Sequence, residues 1–160
     1  MHPRRLEGRY VAVVGPADDA RDVDLARAEA VGRALAEQGA VLLTGGHHGV
    51  MRAAARGATA AGGVSIGLLP GSDRPAGAPE HTHLLPTGLG ELRNGLLVRA
   101  ADAVVAVGCS WGTLSEIALA RRTGVPLVLL DPWELPADAG VVAADAPAAV
   151  AAVAELLAGP

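Results

Sequence analysis

Tyr10-Val11-Ala12-Val13-Val14-Gly15-Pro16 opens a stretch that runs through Asp22–Gln38 to Ala40-Val41-Leu42-Leu43-Thr44-Gly45-Gly46. Its reading decides the fold. Tyr10 to Gly15 is a valine-rich apolar run with no alternating polar residue, the pattern of a strand buried on both faces. Between Asp22 and Gln38, Leu25, Ala28, Val31 and Leu35 recur at helical spacing, and Gly39 stops the helix. Ala40 to Thr44 is again an apolar run. Strand, helix and strand in this order make one parallel crossover unit.

The same cadence continues. Gly49 to Ala61 reads as an Ala-rich helix ended by Gly62-Gly63, and Val64 to Leu69 as a third strand. Pro70 to Glu80, with three Pro and two Gly, is a loop long enough to be mobile. His81 to Leu85 reads as a short edge strand. Gly90 to Ala101 is a helix whose apolar stripe includes Leu92, Leu96 and Ala100. Ala103 to Val107 is a strand, Thr113 to Thr123 a helix, Val125 to Asp131 a strand and Val141 to Ala143 a short last one. Pro147 to Leu157 closes the chain as a helix with Pro at its start. The expected fold is α/β: a Rossmann-like three-layer sandwich on a mainly parallel sheet, with residues 1–160 as a single nucleotide-binding domain.

Composition narrows the function. Of 160 residues 51% are hydrophobic, but there is no Phe, one Tyr and two Trp, so the core is aliphatic. The net charge of −4 argues against a nucleic-acid partner. All thirteen basic residues are Arg. Without lysine, neither a pyridoxal Schiff base nor a P-loop of the G-x-x-x-x-G-K-[ST] type can be built. Cys109 is the single cysteine, so the chain makes no internal disulfide and has no cysteine set for zinc. Met1 to Arg9 lacks the apolar core of a signal peptide, and charges interrupt every apolar run before it reaches membrane-spanning length. A cytoplasmic protein with no membrane contact is the expectation.

Two glycine-rich junctions follow strands and open into helices. They are Thr44-Gly45-Gly46-His47-His48-Gly49-Val50-Met51 and Gly108-Cys109-Ser110-Trp111-Gly112-Thr113-Leu114-Ser115-Glu116. Each sets backbone N–H groups and a positive helix end at the carboxyl edge of a sheet, where phosphate binds. Gly15-Pro16 makes a tight turn at the same edge. It does not continue as G-x-G-x-x-G, and Asp18 and Asp19 repel a pyrophosphate, so a conventional NAD site is a poor fit. Gly108 to Gly112 matches the G-x-S-x-G nucleophile elbow. All five His precede Ser110, however, against the chain order that elbow requires. Cys109 beside a helix N-terminus is a second candidate nucleophile, since such a position lowers a thiol pKa, but a buried small residue in the turn is the simpler reading.

Thr113-Leu114-Ser115-Glu116 reads in two ways. It is a capping box in which Glu116 reaches back to the helix start. Alternatively Glu116 is a carboxylate beside the anion site, placed for acid–base work. Arg93 sits early in the preceding helix, either on a solvated face or clamping a phosphate. His81 and His83, if on one strand, share a face, but no further ligand set completes a metal site. His47 and His48 are N–H donors to a ligand or exposed loop residues. Trp111 is either a stacking platform or a packing residue, the latter being the simpler reading.

The ordered set Thr44-Gly45-Gly46 with Gly49-Val50-Met51, Arg93-Asn94, and Gly112-Thr113 with Glu116 resembles the LONELY GUY (LOG) superfamily, also labelled lysine decarboxylase-like. The resemblance is strongest to the bacterial branch that is similar to molybdenum-cofactor carrier proteins, and it spans about Val11 to Leu130. It implies a nucleotide-binding phosphoribohydrolase that cleaves the N-glycosidic bond of a nucleoside 5′-monophosphate. The alternative it implies is a non-catalytic carrier or sensor of molybdenum cofactor or a nucleotide. By resemblance Arg93 and Glu116 are catalytic; on physical grounds Arg93 can bind the phosphate or the ribose and is expected to hold Glu116 ionised. Gly15, Gly45, Gly46, Gly49, Val50, Met51, Asn94, Gly108, Ser110, Gly112 and Thr113 would surround the ligand. Gly108-Cys109-Ser110 stands where the family has Pro-Gly-Gly, and Asn94 where it has Lys. The resemblance implies no resident cofactor or metal. It also implies a homodimer or dimer of dimers with the Arg93 helix near the interface.

Overall fold

The computed structural model describes residues 3–160; His2, one of the five histidines, lies outside the described residues. Seven strands form one sheet in the order β4-β3-β2-β1-β5-β6-β7, every neighbouring pair parallel. They are β1 (Tyr10–Val14), β2 (Val41–Thr44), β3 (Ser65–Leu69), β4 (His83–Pro86), β5 (Ala103–Val107), β6 (Leu127–Leu130) and β7 (Val141–Ala143). The helices are α1 (Asp22–Glu37), α2 (Val50–Ala60), α3 (Arg93–Ala100), α4 (Trp111–Thr123) and α5 (Ala146–Ala158). The Rossmann-like α/β sandwich read from the sequence is the observed one.

Side chains alternate between two cores, as the period of a strand demands. Val11, Val13, Leu42, Val105, Val107, Val128 and Leu130 face the core under α1, α2 and α5. Ala12, Val14, Leu43, Val104, Ala106, Leu127 and Leu129 face the core under α3 and α4. On α1 the expected stripe is right: Ala28, Val31 and Leu35 are fully buried. With no Phe to fill space, α1 and α2 pack at very short range. A Cβ on Gly32 would overlap the carbonyl of Ala54, and one on Gly57 the carbonyl of Glu29.

Three local expectations are corrected. The helix expected from Gly90 begins as a 3₁₀ turn over Gly90–Leu92 and becomes α-helical only at Arg93. That turn rotates the following face, so Leu97 and Val98 are buried, while Leu92, Leu96 and Ala100 are exposed. The Pro70–Glu80 connection is not free. Ala78 N–H donates to Gly46 O at 2.8 Å and Arg74 Nε to Leu84 O at 3.0 Å. Finally, α4 starts at Trp111, two residues before the expected Thr113.

The strand order reverses direction between β1 and β5. Chain leaving β1 passes to α1 on one face, and chain leaving β5 passes to α4 on the other. The carboxyl ends of these two strands therefore bound a gap that no helix covers, the place where open α/β sheets bind ligands. Among the described residues no helix is long and apolar enough to cross a membrane.

Candidate functional site

A crevice of about 160 Å³ opens at this switch point. Its floor is Val14 and Gly15 from β1 with Ala17 from the loop beyond, and Gly45 and Met51 form one wall. Arg93 and Asn94 from α3 and Ser110, Gly112, Thr113 and Glu116 from the second junction form the rest. Nine sequence-expected residues thus meet in one place. Gly46, Gly49, Val50 and Gly108 lie behind it. Gly49 and Val50 pack on the β1–α1 loop, where Val50 N–H already donates to Pro16 O at 3.0 Å. Gly108, at φ +70, backs onto the buried carboxyl of Asp24, 2.9 Å from where a Cβ would stand.

Ser110, not Thr113, caps α4. Its Oγ accepts Thr113 N–H at 3.2 Å, and its carbonyl accepts Leu114 N–H at 2.8 Å. The capping-box reading of Glu116 is therefore overturned, because Glu116 lies a turn and a half inside the helix, out of reach of its first N–H groups. The first two N–H groups of α4, on Trp111 and Gly112, make no hydrogen bond among the described residues. Nothing crowds Gly112: the nearest atom to a Cβ there would be Ser110 Oγ at 3.9 Å. This end of α4 presents two backbone donors and a positive dipole end.

Arg93 is held in place by main chain. Its Nη1 donates to Gly45 O and to Leu68 O, each at 2.5 Å, and its Nε donates to Asn94 Oδ1 at 3.0 Å. Glycine at position 45 leaves room for this approach, since a Cβ would stand 2.8 Å from Nη1 and 2.7 Å from Met51 Sδ and both side chains would have to shift. Nη2 makes no hydrogen bond among the described residues, which leaves one edge of the guanidinium for an anion.

Glu116 is 8% exposed and makes no side-chain hydrogen bond among the described residues. Burial pushes its carboxyl up to about 7, and the attraction of Arg93 only partly opposes this. The expectation that Arg93 holds Glu116 ionised is thus corrected: desolvation wins. Burial likewise pushes the Arg93 guanidinium down, while Glu116 raises it, but a guanidinium stays charged. The crevice therefore offers one fixed cation, two helix-end donors and a carboxyl that takes up a proton near neutrality. Such a set can hold an oxyanion, and its carboxyl can give or accept a proton.

The nucleophile readings lose their footing. Ser110 Oγ is engaged with Thr113. Burial pushes the Cys109 thiol up rather than down, and its Sγ–H points to Ser110 O at 3.6 Å. His81 and His83 do not share a strand face. His81 precedes β4 and is buried, whereas His83 is exposed. His81 Nδ1–H donates to Ala78 O at 3.0 Å, so its Nε2 accepts the Thr44 hydroxyl at 2.5 Å. Thr44 Oγ1 in turn accepts Gly46 N–H at 2.9 Å. His81 thereby locks the first glycine turn. Burial pushes its imidazole below the usual value. Sequence reading missed this role because it depends on where the long loop returns. His48 pairs with Asp18 across the α2 end.

Comparison with known proteins agrees with the resemblance read from the motifs. The molybdenum cofactor binding protein from the phototrophic bacterium Rippkaea orientalis superposes with a TM-score of 0.89 at 33% identity, covering 93% of this chain and 97% of that one. The Moco carrier protein from Chlamydomonas reinhardtii superposes with a TM-score of 0.87 at 38% identity, covering 95% and 99%. An uncharacterized protein of Archaeoglobus fulgidus is 38% identical over 102 residues, which span 64% of this chain and 67% of that one. Residues 8–155 match the model of the SLOG cluster4 family, and the chain belongs to that family.

Proposed function

We propose that this protein binds a phosphorylated pterin of the molybdenum-cofactor type and carries it without chemical change. The observation that carries the reading is the anion crevice at the switch point. Arg93 Nη2 and the Trp111 and Gly112 N–H groups there are the donors left for a phosphate. Identity of 33% and 38% to a molybdenum cofactor binding protein and a Moco carrier protein, over more than nine-tenths of each chain, supports the pterin class. Exposed Leu92 and Leu96, beside Arg93, support a homodimer with this helix at its interface.

The test is direct. Molybdenum cofactor released anaerobically from a molybdoenzyme is mixed with the purified protein and passed through gel filtration. Molybdenum and pterin fluorescence eluting with the protein is the expected result, and Arg93→Ala should lose most of both. Cofactor eluting wholly in the small-molecule volume would refute the reading.

Glu116 keeps a second reading in view, namely hydrolysis of a nucleoside 5′-monophosphate. A buried carboxyl near pKa 7 that caps nothing is suited to acid–base work at a glycosidic bond. Release of free base from purine or pyrimidine monophosphates is the assay. A carrier keeps its ligand affinity in Glu116→Gln and releases no base, whereas a hydrolase loses turnover with binding retained.

A further inference from the structure

We propose that a second hollow, lined by residues that include Asp19, Arg21, Asp24, Cys109, Asp131 and Trp133, seats the ligand's heteroaromatic ring, and that it selects rings with an amino-pyrimidinone edge. This rests on the crevice being the anion site. The ligand would then lie across the Cys109–Ser110 turn, phosphate on one side and ring on the other.

Volume motivates it first. The crevice holds about 160 Å³, enough for a phosphate and little more, whereas sites for whole organic ligands start at about 300 Å³. The second hollow adds about 290 Å³. The two are bordered by the same loop and the same turn. Ala17 lines the crevice and Asp19 the hollow, on one loop; Ser110 lines the crevice and Cys109 the hollow, on one turn. A ligand anchored at Gly112 would reach the hollow across the Cys109–Ser110 turn.

The walls fit a flat ring. The chain has three aromatic residues, and two of them meet here. Trp111 and Trp133 stand edge to face with ring centroids 5.0 Å apart. They are 78% and 40% exposed, so the pair leaves aromatic surface open to a ligand. A base or pterin stacks on such a face.

The polar group fits a donor edge. Asp131 adopts φ +51, the only non-glycine residue with positive φ among the described residues. That backbone turns its carboxylate back toward α1. Arg21 Nη2 donates to Oδ2 at 2.5 Å and Arg27 Nη1 donates to the same oxygen at 3.4 Å. Oδ1 makes no hydrogen bond among the described residues. The two arginines fix and charge the carboxylate while leaving one oxygen to accept. An amino group beside a ring N–H, as in pterin or guanine, presents two adjacent donors to it; a uracil edge presents one N–H between two carbonyl oxygens, which the carboxylate repels.

Trp133 lines the proposed site and Trp111 packs against it, so tryptophan fluorescence reports ring binding. Affinities for inorganic phosphate, neopterin monophosphate, GMP and UMP are measured by calorimetry and by tryptophan quenching. The wild-type protein should bind neopterin monophosphate or GMP at least about tenfold tighter than phosphate or UMP, with quenching. The tighter of the two identifies the ring system. Trp133→Leu and Asp131→Asn should each erase about tenfold of that advantage and leave phosphate affinity within twofold. Asparagine tolerates the same backbone, so the second variant keeps the fold. An undiminished advantage in both variants overturns the proposal. So does phosphate binding with no ring preference in the wild-type protein, which leaves the anion reading intact. No binding of any of the four overturns both.

Discussion

Replacing Glu116 with Gln should stabilise the protein, and by an amount that grows with pH. A carboxyl that titrates near 4.5 when exposed and at about 7 in the fold holds its proton more tightly by about 3–4 kcal/mol when folded, at about 1.4 kcal/mol per pH unit. The sign follows from the raised value. Below 4.5 the carboxyl is protonated in both states, and its contribution is complete. As pH climbs from 4.5 to 7 the unfolded chain sheds the proton and the folded chain does not, so stability is progressively lost. Gln keeps the neutral shape at every pH. Urea unfolding from pH 5 to 8 should therefore show two curves that diverge, the variant ahead by under ~1 kcal/mol at pH 5 and by about 3–4 kcal/mol at pH 8. Sulfate, whose charge is constant over this range, supplies a second readout. Its affinity for the wild-type protein should fall as pH rises through 7 and a negative charge appears in the crevice. In the variant it should stay flat. Parallel stability curves with parallel sulfate titrations would show that Glu116 ionises like an exposed carboxylate and that Arg93, not burial, governs it.

Other outcomes follow from single contacts. Ser110→Ala should cost about 1 kcal/mol of unfolding free energy, the ordinary loss of an N-cap, measurable by urea titration. Gly32→Ala forces α1 and α2 apart at the Ala54 carbonyl and should cost about 1–3 kcal/mol, lowering the thermal midpoint. His81 has the opposite pH sign to Glu116. Its lowered pKa means that stability is complete above 6.5 and declines as pH falls below it. In the Glu116→Gln background that acid-side slope should be visible between pH 7 and 5. Adding His81→Leu should flatten part of it, with His47, also held low by burial, keeping the remainder.

Strand positions were legible because buried parallel strands are written as short apolar runs bounded by Gly or Pro, and each of Tyr10–Val14, Ala103–Val107 and Leu127–Leu130 is such a run. Most of the crevice was legible too, since glycine junctions after strands mark the carboxyl edge of a sheet. What failed did so for local reasons that need three dimensions. Ser110-x-x-Thr113 and Thr113-x-x-Glu116 are overlapping cap patterns, and nothing in the letters chooses between them. Gly108, at φ +70, turns the chain immediately after β5, so the helix takes the first cap it meets. The Leu92 and Leu96 stripe looked like a core face. The 3₁₀ turn at Gly90–Leu92 hands that face to Leu97 and Val98 instead. The role of His81 in locking the first glycine turn was not legible because its partners, Thr44 and Ala78, are distant or irregular in sequence.

The strand reversal between β1 and β5 also accounts for where the polar residues went. A gap between diverging helices must be floored by small groups. Gly15 meets that demand on the β1 side, where a Cβ would overlap the Val107 carbonyl. Gly108 meets it on the β5 side, and the space behind it holds not an apolar side chain but the buried carboxyl of Asp24. That charge is tolerable because Arg21 Nε and Nη2 donate to both its oxygens, at 3.1 and 2.8 Å. The same Nη2 holds Asp131 at the rim. One arginine thus ties the floor of the switch point to the end of β6. A change at Arg21 should therefore be felt at three places together: the start of α1, the Gly108 turn and the carboxylate facing the second hollow. An apolar residue in place of Asp24 would fill the floor equally well. It would leave Arg21 held by Asp131 alone, and the rim carboxylate would lose the fixed position from which it can recognise a ring.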